Sequence, residues 1–259
     1  FQDDQPRGRL AALPDRHNYY LNRLSPTPLV PVRLTPGAPS VWCKLEFLNP
    51  SGSTKDRIAR HILLKAWREG RIASGIVAEA SSGSTSIAMA LACAQLGLKF
   101  IAVMPEGVSN ERVLMIRAFG GEIRLTPGER GIRGAIAETE RMGVECGAFL
   151  PRQFSNPENA EAHRFGTARE ILDQVPGGLV DAVVTGVGTG GTLVGLYQGL
   201  SDAGCRVIPV YARPVNLTHT PDAECCSFSS SIPGVVECVS TIFREDSLLN
   251  LRVAPESAN

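Results

Sequence analysis

Three short loops in this 259-residue chain are rich in glycine and hydroxyl residues, the composition that suits a loop for holding an anion. They read "NPSGSTKDR", "ASSGSTSIA" and "TGVGTGGTL", and each runs into a segment predicted to be helical. Backbone N–H groups at a helix N-terminus attract negative charge, and hydroxyl side chains add further donors. The loops raise two questions: which anions they bind, and why the first contains a lysine.

That lysine is Lys55, one of only four lysines in a chain with twenty-two arginines. A helix N-terminus disfavours a cation, and burial would lower the pKa of the amine further. A lysine with a lowered pKa is suited to forming an imine with a carbonyl compound. The alternative for Lys55 is a solvated lysine without a chemical role. Lys44, Lys65 and Lys99 lie in predicted strands or helices, where a surface or snorkelling side chain is the ordinary explanation.

The third loop has the composition of a phosphate-binding loop. Its glycines follow a predicted strand and open a predicted helix, and its threonines supply hydroxyl donors. It lacks a GK[ST] ending, and its G-x-G-x-G-G order is not the dinucleotide fingerprint, so one compact phosphate fits better than a nucleotide. A tight turn without a ligand is the alternative. The residues concerned are Gly186, Gly188, Thr189, Gly190, Gly191 and Thr192.

The second loop is suited to a carboxylate, because Ser81, Ser82, Ser84 and Thr85 surround Gly83 at the start of a predicted buried helix. A serine-rich N-cap is the alternative. A phosphate site, a carboxylate site and a lysine of lowered pKa together point to pyridoxal phosphate acting on an amino acid. In that chemistry the pyridine ring of the cofactor is the electron sink.

Strands and helices alternate from residue 56 onward, which predicts an α/β fold with a parallel sheet. The unbroken apolar run "KFIAVMP" is typical of a strand covered on both faces, and "DRIARHILLKAWREG" has the pattern of an amphipathic helix. We also predict a strand at "AFLPRQF" and an antiparallel pair from "TPLVPVRL" and "SVWCKLEF". Ligands of parallel sheets bind at the carboxyl ends of the strands, which makes the loops after strands the candidate site.

The charge balance and cysteine content exclude several classes of protein. Lysine plus arginine equals aspartate plus glutamate, at 26 each, so we expect no nucleic-acid or anionic-membrane partner. The longest apolar run, "IAMALACA", is far shorter than the roughly 20 residues that span a bilayer, and the start lacks a secretory signal. Seven cysteines without C-x-x-C spacing argue against a disulfide scaffold or a zinc site. We expect a soluble, cytoplasmic protein without a metal.

The sequence resembles the fold type II pyridoxal-phosphate enzymes, and within them the cysteine synthase and cystathionine β-synthase branch. The likeness runs from "SPTPLV" to "IPVYA", over two-thirds of the chain. "KLEFLNPSGSTKDR" looks like the cofactor-lysine motif of that branch, which implies the Schiff-base position for Lys55. "GVGTGGTL" is similar to the phosphate loop almost letter for letter, and "QFSNPENAEAH" looks like the segment whose glutamine, here Gln153, helps to hold the substrate carboxylate.

The resemblance implies two open, mostly parallel sheets flanked by helices, with the cofactor in the crevice between two domains. We expect a smaller domain over residues 48–156 and a larger one over residues 1–47 plus 157–259, incomplete at its C-terminus. A homodimer with small-molecule partners is also implied. The implied cofactor-binding residues are Lys55, Ser84, Gly188, Thr189, Gly190, Gly191 and Thr192, and the implied substrate-binding residues are Ser81, Ser82, Gly83, Thr85 and Gln153.

The reaction that the resemblance implies is a β-replacement on O-acetylserine or O-phosphoserine. Lys55 would remove the α-proton, and sulfide or thiosulfate would add to an α-aminoacrylate, which gives cysteine or S-sulfocysteine. A lyase that releases pyruvate from serine or cysteine is one alternative, and a catalytically silent homologue is another. Arg152 and Arg213 could each meet a substrate phosphate, although surface arginines are the commoner case.

The chain departs from the family pattern at two places. The substrate loop of the family usually reads T-S-G-N-T-G, whereas this chain has "SSGSTS", so Ser84 stands where an asparagine contacts the cofactor ring oxygen. A G-[IV]-S-S-G-like turn, whose serine meets the pyridine nitrogen in the family, does not occur before Asn259. We therefore expect either that residues are omitted from this chain or that the cofactor site is incomplete.

Overall fold

The computed structural model describes residues 26–212, 240–242 and 252–253. Its β-strands within these ranges belong to an antiparallel pair and two parallel sheets. They are β1 (Leu29–Val32), β2 (Val41–Lys44), β3 (Ile76–Ala80), β4 (Lys99–Pro105), β5 (Glu122–Thr126), β6 (Ala182–Gly186), β7 (Ile208–Ala212) and β8 (Arg252–Val253). The antiparallel pair is β1–β2, and the parallel sheets have the orders β3-β4-β5 and β6-β7-β8.

Helices follow most of the strands and cover the sheets. They are α1 (Lys55–Arg68), α2 (Ser84–Leu96), α3 (Asn110–Ala118), α4 (Gly131–Cys146), α5 (Glu158–Ala162), α6 (Ala168–Gln174) and α7 (Gly191–Asp202). A π-helix, His163–Thr167, joins α5 to α6. The predicted α/β class, with parallel sheets flanked by helices, is confirmed, and so is the antiparallel pair. The predicted domain boundaries stay a prediction.

The sheet β3-β4-β5 is covered on both faces, as the apolar run of β4 predicted. Phe100 and Met104 of β4 pack into the hydrophobic cluster formed with α1, α2 and α3. Ile101 and Val103 face the opposite side and pack against α4. Because side chains alternate along a strand, one apolar run serves both layers. This central sheet is the rigid element that carries the loop after β3.

The second parallel sheet is covered by α7, which packs closely against α5 and the π-helix. A Cβ atom at Gly195 of α7 would lie 2.1 Å from the carbonyl oxygen of Ala160 and 2.8 Å from the Cβ of His163. Only glycine permits that approach. The loop before α7 is therefore held at a fixed distance from the segment that begins at α5.

A buried ion-pair network fixes the first turn of α1. Arg57, which is 8% exposed, donates to both carboxylate oxygens of Glu46 at 2.6 and 2.7 Å and to those of Glu170 at 2.7 and 2.8 Å. Lys44 also pairs with Glu170, at 2.8 Å. Burial alone would raise the pKa of Glu46, but the hydrogen bonds and charge of Arg57 lower it to about 2. The network ties α1 to the segment after β2 and to α6.

The strand predicted at "AFLPRQF" is wrong. Phe149 forms a single parallel bridge with Val77, with hydrogen bonds of 2.9 and 3.0 Å to the backbone of β3. Pro151 has no N–H to donate, and Arg152 has φ +54°, in the left-handed region. These two residues end the pairing and turn the chain immediately before Gln153.

Among the described residues, no helix combines the length and apolar character that crossing a bilayer requires. The same part of the chain contains no cluster of three or more histidine, cysteine, aspartate or glutamate side chains that could hold a metal ion.

Candidate active site

A cavity of about 180 Å³ lies where the three loops meet. The loop after β3, the loop after β6 and the residues that precede α1 all contribute to its wall. Every predicted site residue except Gly190, Gly191 and Thr192 lines it. The lining residues from the prediction are Lys55, Ser81, Ser82, Gly83, Ser84, Thr85, Gln153, Gly188 and Thr189.

Lys55 is the first residue of α1, and its backbone N–H donates to Ser53 Oγ at 3.2 Å. Burial lowers the pKa of its amine to about 8. The neighbouring Thr54 Oγ1 is buried without a hydrogen-bond partner in the described part of the chain. The lysine therefore stands at the cavity wall beside a hydroxyl that is free to meet a ligand.

The other three lysines are paired with carboxylates; the side chains of Lys65 and Lys99 are partly exposed, as expected, whereas the side chain of Lys44 is only 10% exposed. Lys44 pairs with Glu170 at 2.8 Å, Lys65 with Glu158 at 3.2 Å, and Lys99 with Glu122 at 3.0 Å. Lys55 forms no ion pair with any carboxylate of the described ranges. A cation without a counter-ion, held at a helix N-terminus, is the arrangement expected for a reactive amine.

The loop after β3 presents free donors to the cavity. Gly83 is the N-cap of α2, and no side chain caps the helix, contrary to the serine N-cap alternative. The hydroxyl of Ser86 donates to the carbonyl of Ser81 at 2.7 Å, and Ser81 Oγ accepts from the N–H of Gly83 at 3.2 Å. Ser82 Oγ is buried without a partner among the described residues. The first N–H groups of α2 and this hydroxyl can therefore receive a carboxylate.

Gln153 is fixed beside this loop by three hydrogen bonds. Its Oε1 accepts from Thr85 Oγ1 at 2.7 Å, and its Nε2 donates to the carbonyl of Ala80 at 2.9 Å. Its backbone N–H donates to Glu79 Oε2 at 3.2 Å, and burial raises the pKa of Glu79 to about 8. An amide NH₂ has two hydrogens, so one remains to meet a ligand.

The loop after β6 approaches its neighbours closely. Gly190, at φ +84°, is the N-cap of α7 and has no side-chain cap, so the first N–H groups of α7 are free. A Cβ atom at Gly191 would lie 2.0 Å from Asn159 Oδ1. Gly188 and Thr189 line the cavity, whereas Gly190 and Gly191, the next two residues of the chain, do not.

Thr192 does not line the cavity either, and its hydroxyl contacts Nε2 of His163 at 3.2 Å. Nδ1 of the same ring contacts Thr167 Oγ1 at 2.9 Å. Burial, with the charges of Lys55 and Arg57, lowers the pKa of His163 to about 3. The imidazole is therefore neutral near pH 7, and its contact with the Thr192 hydroxyl holds that hydroxyl in place.

Several cavity or supporting residues were missed by the sequence analysis. Arg112, in the first turn of α3, lines the cavity. It carried the same signal as Lys55, a cation at a helix N-terminus. Asn159 and Ser240 brace the loop after β6: Ser240 Oγ donates to the carbonyl of Thr189 at 2.5 Å. These two gave no local signal, because their contacts are formed with residues distant in the sequence.

Arg152 does not meet the cavity, contrary to the suggestion that it could bind a substrate phosphate there. Its guanidinium pairs with Glu140 at 2.8 and 3.0 Å and lines a second cavity of about 170 Å³. Arg213 and the C-terminal segment searched for a pyridine-nitrogen partner lie outside the described residues.

The sequence pattern of the family described as "Pyridoxal-phosphate dependent enzyme" matches residues 21–237. A curated relative, cysteine synthase of Staphylococcus aureus (strain N315), is 45% identical over 177 residues, which are 67% of this chain and 57% of the relative. The chain thus spans somewhat more than half the length of the curated relatives it matches.

Solved structures of similar fold cover most of the chain. O-ureido-L-serine synthase superposes with a TM-score of 0.73 at 35% identity, over 92% of this chain and 75% of that one. A hydrogen sulfide-producing enzyme from Fusobacterium nucleatum gives 0.78 at 31% identity, over 92% and 80%. The O-acetylserine dependent cystathionine beta-synthase from Helicobacter pylori gives 0.76 at 28% identity, over 90% and 78%.

Proposed function

Because this chain belongs to the family of pyridoxal-phosphate dependent enzymes, we propose that it catalyses a β-replacement on an O-activated L-serine with a sulfur nucleophile. The observation that carries the proposal is the position of Lys55. Its side chain lines the same cavity as the loop suited to a phosphate and the loop suited to a carboxylate. An amino-acid substrate and this cofactor require those three features together.

The described residues fit the cofactor. Gly188, Thr189 and the N-terminus of α7 would hold its phosphate, and a side chain at residue 191 would collide with Asn159. Lys55 would hold its carbonyl carbon, and Ser84 lies in the same wall. When bound, the cofactor supplies an electron-accepting ring that stabilises negative charge at the α-carbon of the substrate.

The substrate carboxylate would be held at the N-terminus of α2. Ser82, whose hydroxyl has no partner among the described residues, and Gln153, whose amide keeps one free hydrogen, line the same cavity as Thr85. Ile132 and Phe154 add apolar surface to the wall. This surface would reduce access of water to the reacting β-carbon.

Once the amine of the substrate has displaced Lys55 from the cofactor, Lys55 would act as the general base. Its Nζ takes the proton from the α-carbon, and a pKa of about 8 keeps both protonation states accessible near neutral pH. The bond between the β-carbon and oxygen then breaks, and the electron pair leaves with acetate or phosphate. The sulfur nucleophile forms a bond to the β-carbon, and Lys55 returns its proton to the α-carbon. The products are cysteine from sulfide or S-sulfocysteine from thiosulfate, together with the released acetate or phosphate.

The comparisons support this reaction class but do not identify the donor or the nucleophile that this chain uses. One structural relative carries O-acetylserine in its name, and the curated relatives are cysteine synthases. Two relatives are named as hydrogen sulfide-producing enzymes, which favours β-elimination as the second candidate. Elimination would use the same Lys55 and the same carboxylate site. The two reactions differ only in whether a sulfur nucleophile enters.

The test uses cofactor-loaded full-length protein and two variants, Lys55→Ala and Lys65→Ala. The second is a matched control, because Lys65 lies on the same helix, is 39% exposed and does not line the cavity. We expect visible cofactor absorption and nucleophile-dependent thiol formation in the wild type and in Lys65→Ala, and neither in Lys55→Ala. Pyruvate release that is independent of added sulfide or thiosulfate would favour elimination, and failure to bind the cofactor would refute both candidates.

We also propose, from the resemblance, that the protein is a cytoplasmic homodimer with small-molecule partners. Light scattering of the purified full-length protein tests the dimer, and cell fractionation tests the location.

A further inference from the structure

Arg112 is the second cation of the candidate active site. It lies in the first turn of α3 and lines the cavity together with Lys55. No aspartate or glutamate is among the described residues that line this cavity. Its wall therefore carries two basic side chains and no acidic one, which favours ligands with more than one negative charge.

The guanidinium of Arg112 is not committed to a structural ion pair. Arg57, Arg141 and Arg152 are each paired with a carboxylate, whereas Arg112 and Arg117 form no ion pair within the described ranges. No carboxylate in the described ranges lies within ion-pair distance of Arg112. An arginine fork without a partner at a cavity wall is available for two parallel hydrogen bonds to an oxyanion.

The position of Arg112 on its helix is unfavourable for stability. The N-terminal turn of a helix carries partial positive charge, so a cation at its third residue is destabilised. Glutamate or aspartate would suit that turn better, as Glu111 does next to it. A backbone hydrogen bond and, more weakly, the charge of Arg112 lower the pKa of the adjacent, exposed Glu111, but that effect does not require the arginine to line the cavity. Recognition of an anion in the cavity accounts for this position.

Two anion sites of the cavity are already assigned by the proposed function. The cofactor phosphate takes the N-terminus of α7, and the substrate carboxylate takes the N-terminus of α2 with Gln153. Neither assignment uses Arg112. The positive charge of its side chain is left for a third anionic group among the reactants.

We propose that Arg112 is a specificity-determining residue that binds an oxyanion carried by a reactant in addition to the α-carboxylate. This inference rests on the proposed function. Two reactants could supply that group: the phosphate ester of O-phosphoserine as the leaving group, or thiosulfate as the nucleophile. O-acetylserine with sulfide has no such group and serves as the reference reaction.

The experiment compares wild type, Arg112→Gln, Arg112→Lys and Arg117→Gln, all loaded with cofactor. Arg117 is the matched control, because it is exposed on the same helix and does not line the cavity. The kcat/KM for the amino-acid donor is measured with O-acetylserine plus sulfide and O-phosphoserine plus sulfide. With O-acetylserine plus thiosulfate, the kcat/KM for thiosulfate is measured. Circular dichroism checks that all variants are folded.

We expect Arg112→Gln to lower kcat/KM about 10- to 100-fold for the combination of donor and nucleophile that carries the extra oxyanion. A loss of this size corresponds to removal of a charge-assisted hydrogen bond. The reference pair should change less than about threefold, and Arg112→Lys should recover part of the loss. A loss confined to O-phosphoserine shows that Arg112 binds the phosphate of the donor. A loss confined to thiosulfate shows that Arg112 binds the nucleophile. An equal loss in all three pairs, or no loss, would overturn the proposal.

Binding separates this inference from the proposed function. O-phosphoserine, thiosulfate and, as the reference, L-serine are each titrated into the cofactor-loaded protein, and binding is followed by the visible absorption of the cofactor. Arg112→Gln should weaken O-phosphoserine or thiosulfate about 10-fold or more and leave L-serine within about threefold. This result can appear even if the protein performs elimination or no turnover, so failure of β-replacement does not decide the role of Arg112. Equal weakening of all three ligands, or weakening of none, counts against it.

Discussion

Asn159 donates a hydrogen bond of 2.9 Å from its side-chain amide to the hydroxyl of Thr189. The same Nδ2 atom donates at 2.7 Å to the backbone carbonyl of Gln153. Asn159 is completely buried, so water cannot replace these bonds without rearrangement of the protein. One side chain thus connects the loop proposed for the cofactor phosphate with the residue proposed for the substrate carboxylate.

The first prediction concerns this connection. Asn159→Ala should weaken cofactor affinity and raise the KM for the amino acid, each by about tenfold, because it leaves buried groups of both loops without a donor. Asn110→Ala, an exposed position on α3, is the control and should leave both constants unchanged. The measurements are a cofactor titration and steady-state kinetics. A change in only one of the two constants would show that Asn159 does not couple the sites.

The second prediction concerns the pH dependence of cofactor uptake. The neutral amine of Lys55 is the form that attacks a carbonyl, and its pKa is lowered to about 8 by burial. The neutral fraction therefore rises about tenfold per pH unit below pH 8 and then levels off. The rate of visible absorbance change after cofactor is added to cofactor-free protein should follow that curve. A free lysine derivative, measured in parallel, should keep rising toward its ordinary pKa of 10.5, and the same behaviour in the protein would contradict the lowered pKa.

The third prediction concerns close contact at the phosphate loop. Gly191→Ala places a Cβ atom 2.0 Å from Asn159 Oδ1, so one of the two must move. We expect a destabilisation of about 1 to 3 kcal/mol and at least tenfold weaker cofactor binding. Gly186→Ala is the matched control at the end of β6, where no atom lies within 4 Å of a new Cβ. Thermal unfolding and cofactor titration of both variants test this, and equal effects at the two positions would refute the steric argument.

The fourth prediction concerns the ion-pair network under α1. Arg57→Met leaves the partly buried Glu46 without its cation and Glu170 with Lys44 alone, and it should lower the free energy of unfolding by about 1 to 3 kcal/mol at pH 7. Arg68→Met, at the exposed end of the same helix, should change it by less than about 0.5 kcal/mol. Urea unfolding of the three proteins measures the difference.

The pH dependence of that difference follows from the pKa of Glu46. Its folded-state pKa, about 2, lies below the ordinary value of 4.5, so its stabilisation is present above pH 4.5 and is lost as the pH falls toward 2. The difference in free energy of unfolding between wild type and Arg57→Met should therefore become smaller over that pH interval. A gap that stays constant from pH 7 to pH 3 would show that the network does not depend on ionised Glu46.

The parts of the fold with a strong local pattern were predictable from the sequence. The apolar run "KFIAVMP" coincides with β4, Lys99–Pro105, because a strand buried on both faces requires apolar residues at nearly every position. The prediction of a strand at residues 148–154 was wrong, because it relied on the apolar residues and neglected Pro151 and the turn that follows. Pairing there stops after one bridge.

Of the candidate site, the loops were predictable and their supports were not. Glycine and hydroxyl residues beside a helix N-terminus are a local signal, whereas Asn159 meets Thr189 across 30 positions of sequence. Arg112 was detectable in principle, because the helix-dipole argument applied to Lys55 holds equally for it. Ser240 could not be found, because its partners, Phe154 and Thr189, are defined only by the folded chain.

Because the π-helix His163–Thr167 joins α5 to α6, the number of residues in this segment determines how His163 is oriented relative to α6. A π-helical turn accommodates about one residue more than an α-helical turn. Deleting one residue within it would restore α-helical winding and rotate everything downstream by roughly 100° about the helix axis, since each residue turns an α-helix by that angle. After such a deletion, the contact of His163 with Thr192 and the ion pair of Glu170 with Arg57 could not both form. A single-codon deletion here should therefore be more damaging than most substitutions in the same segment.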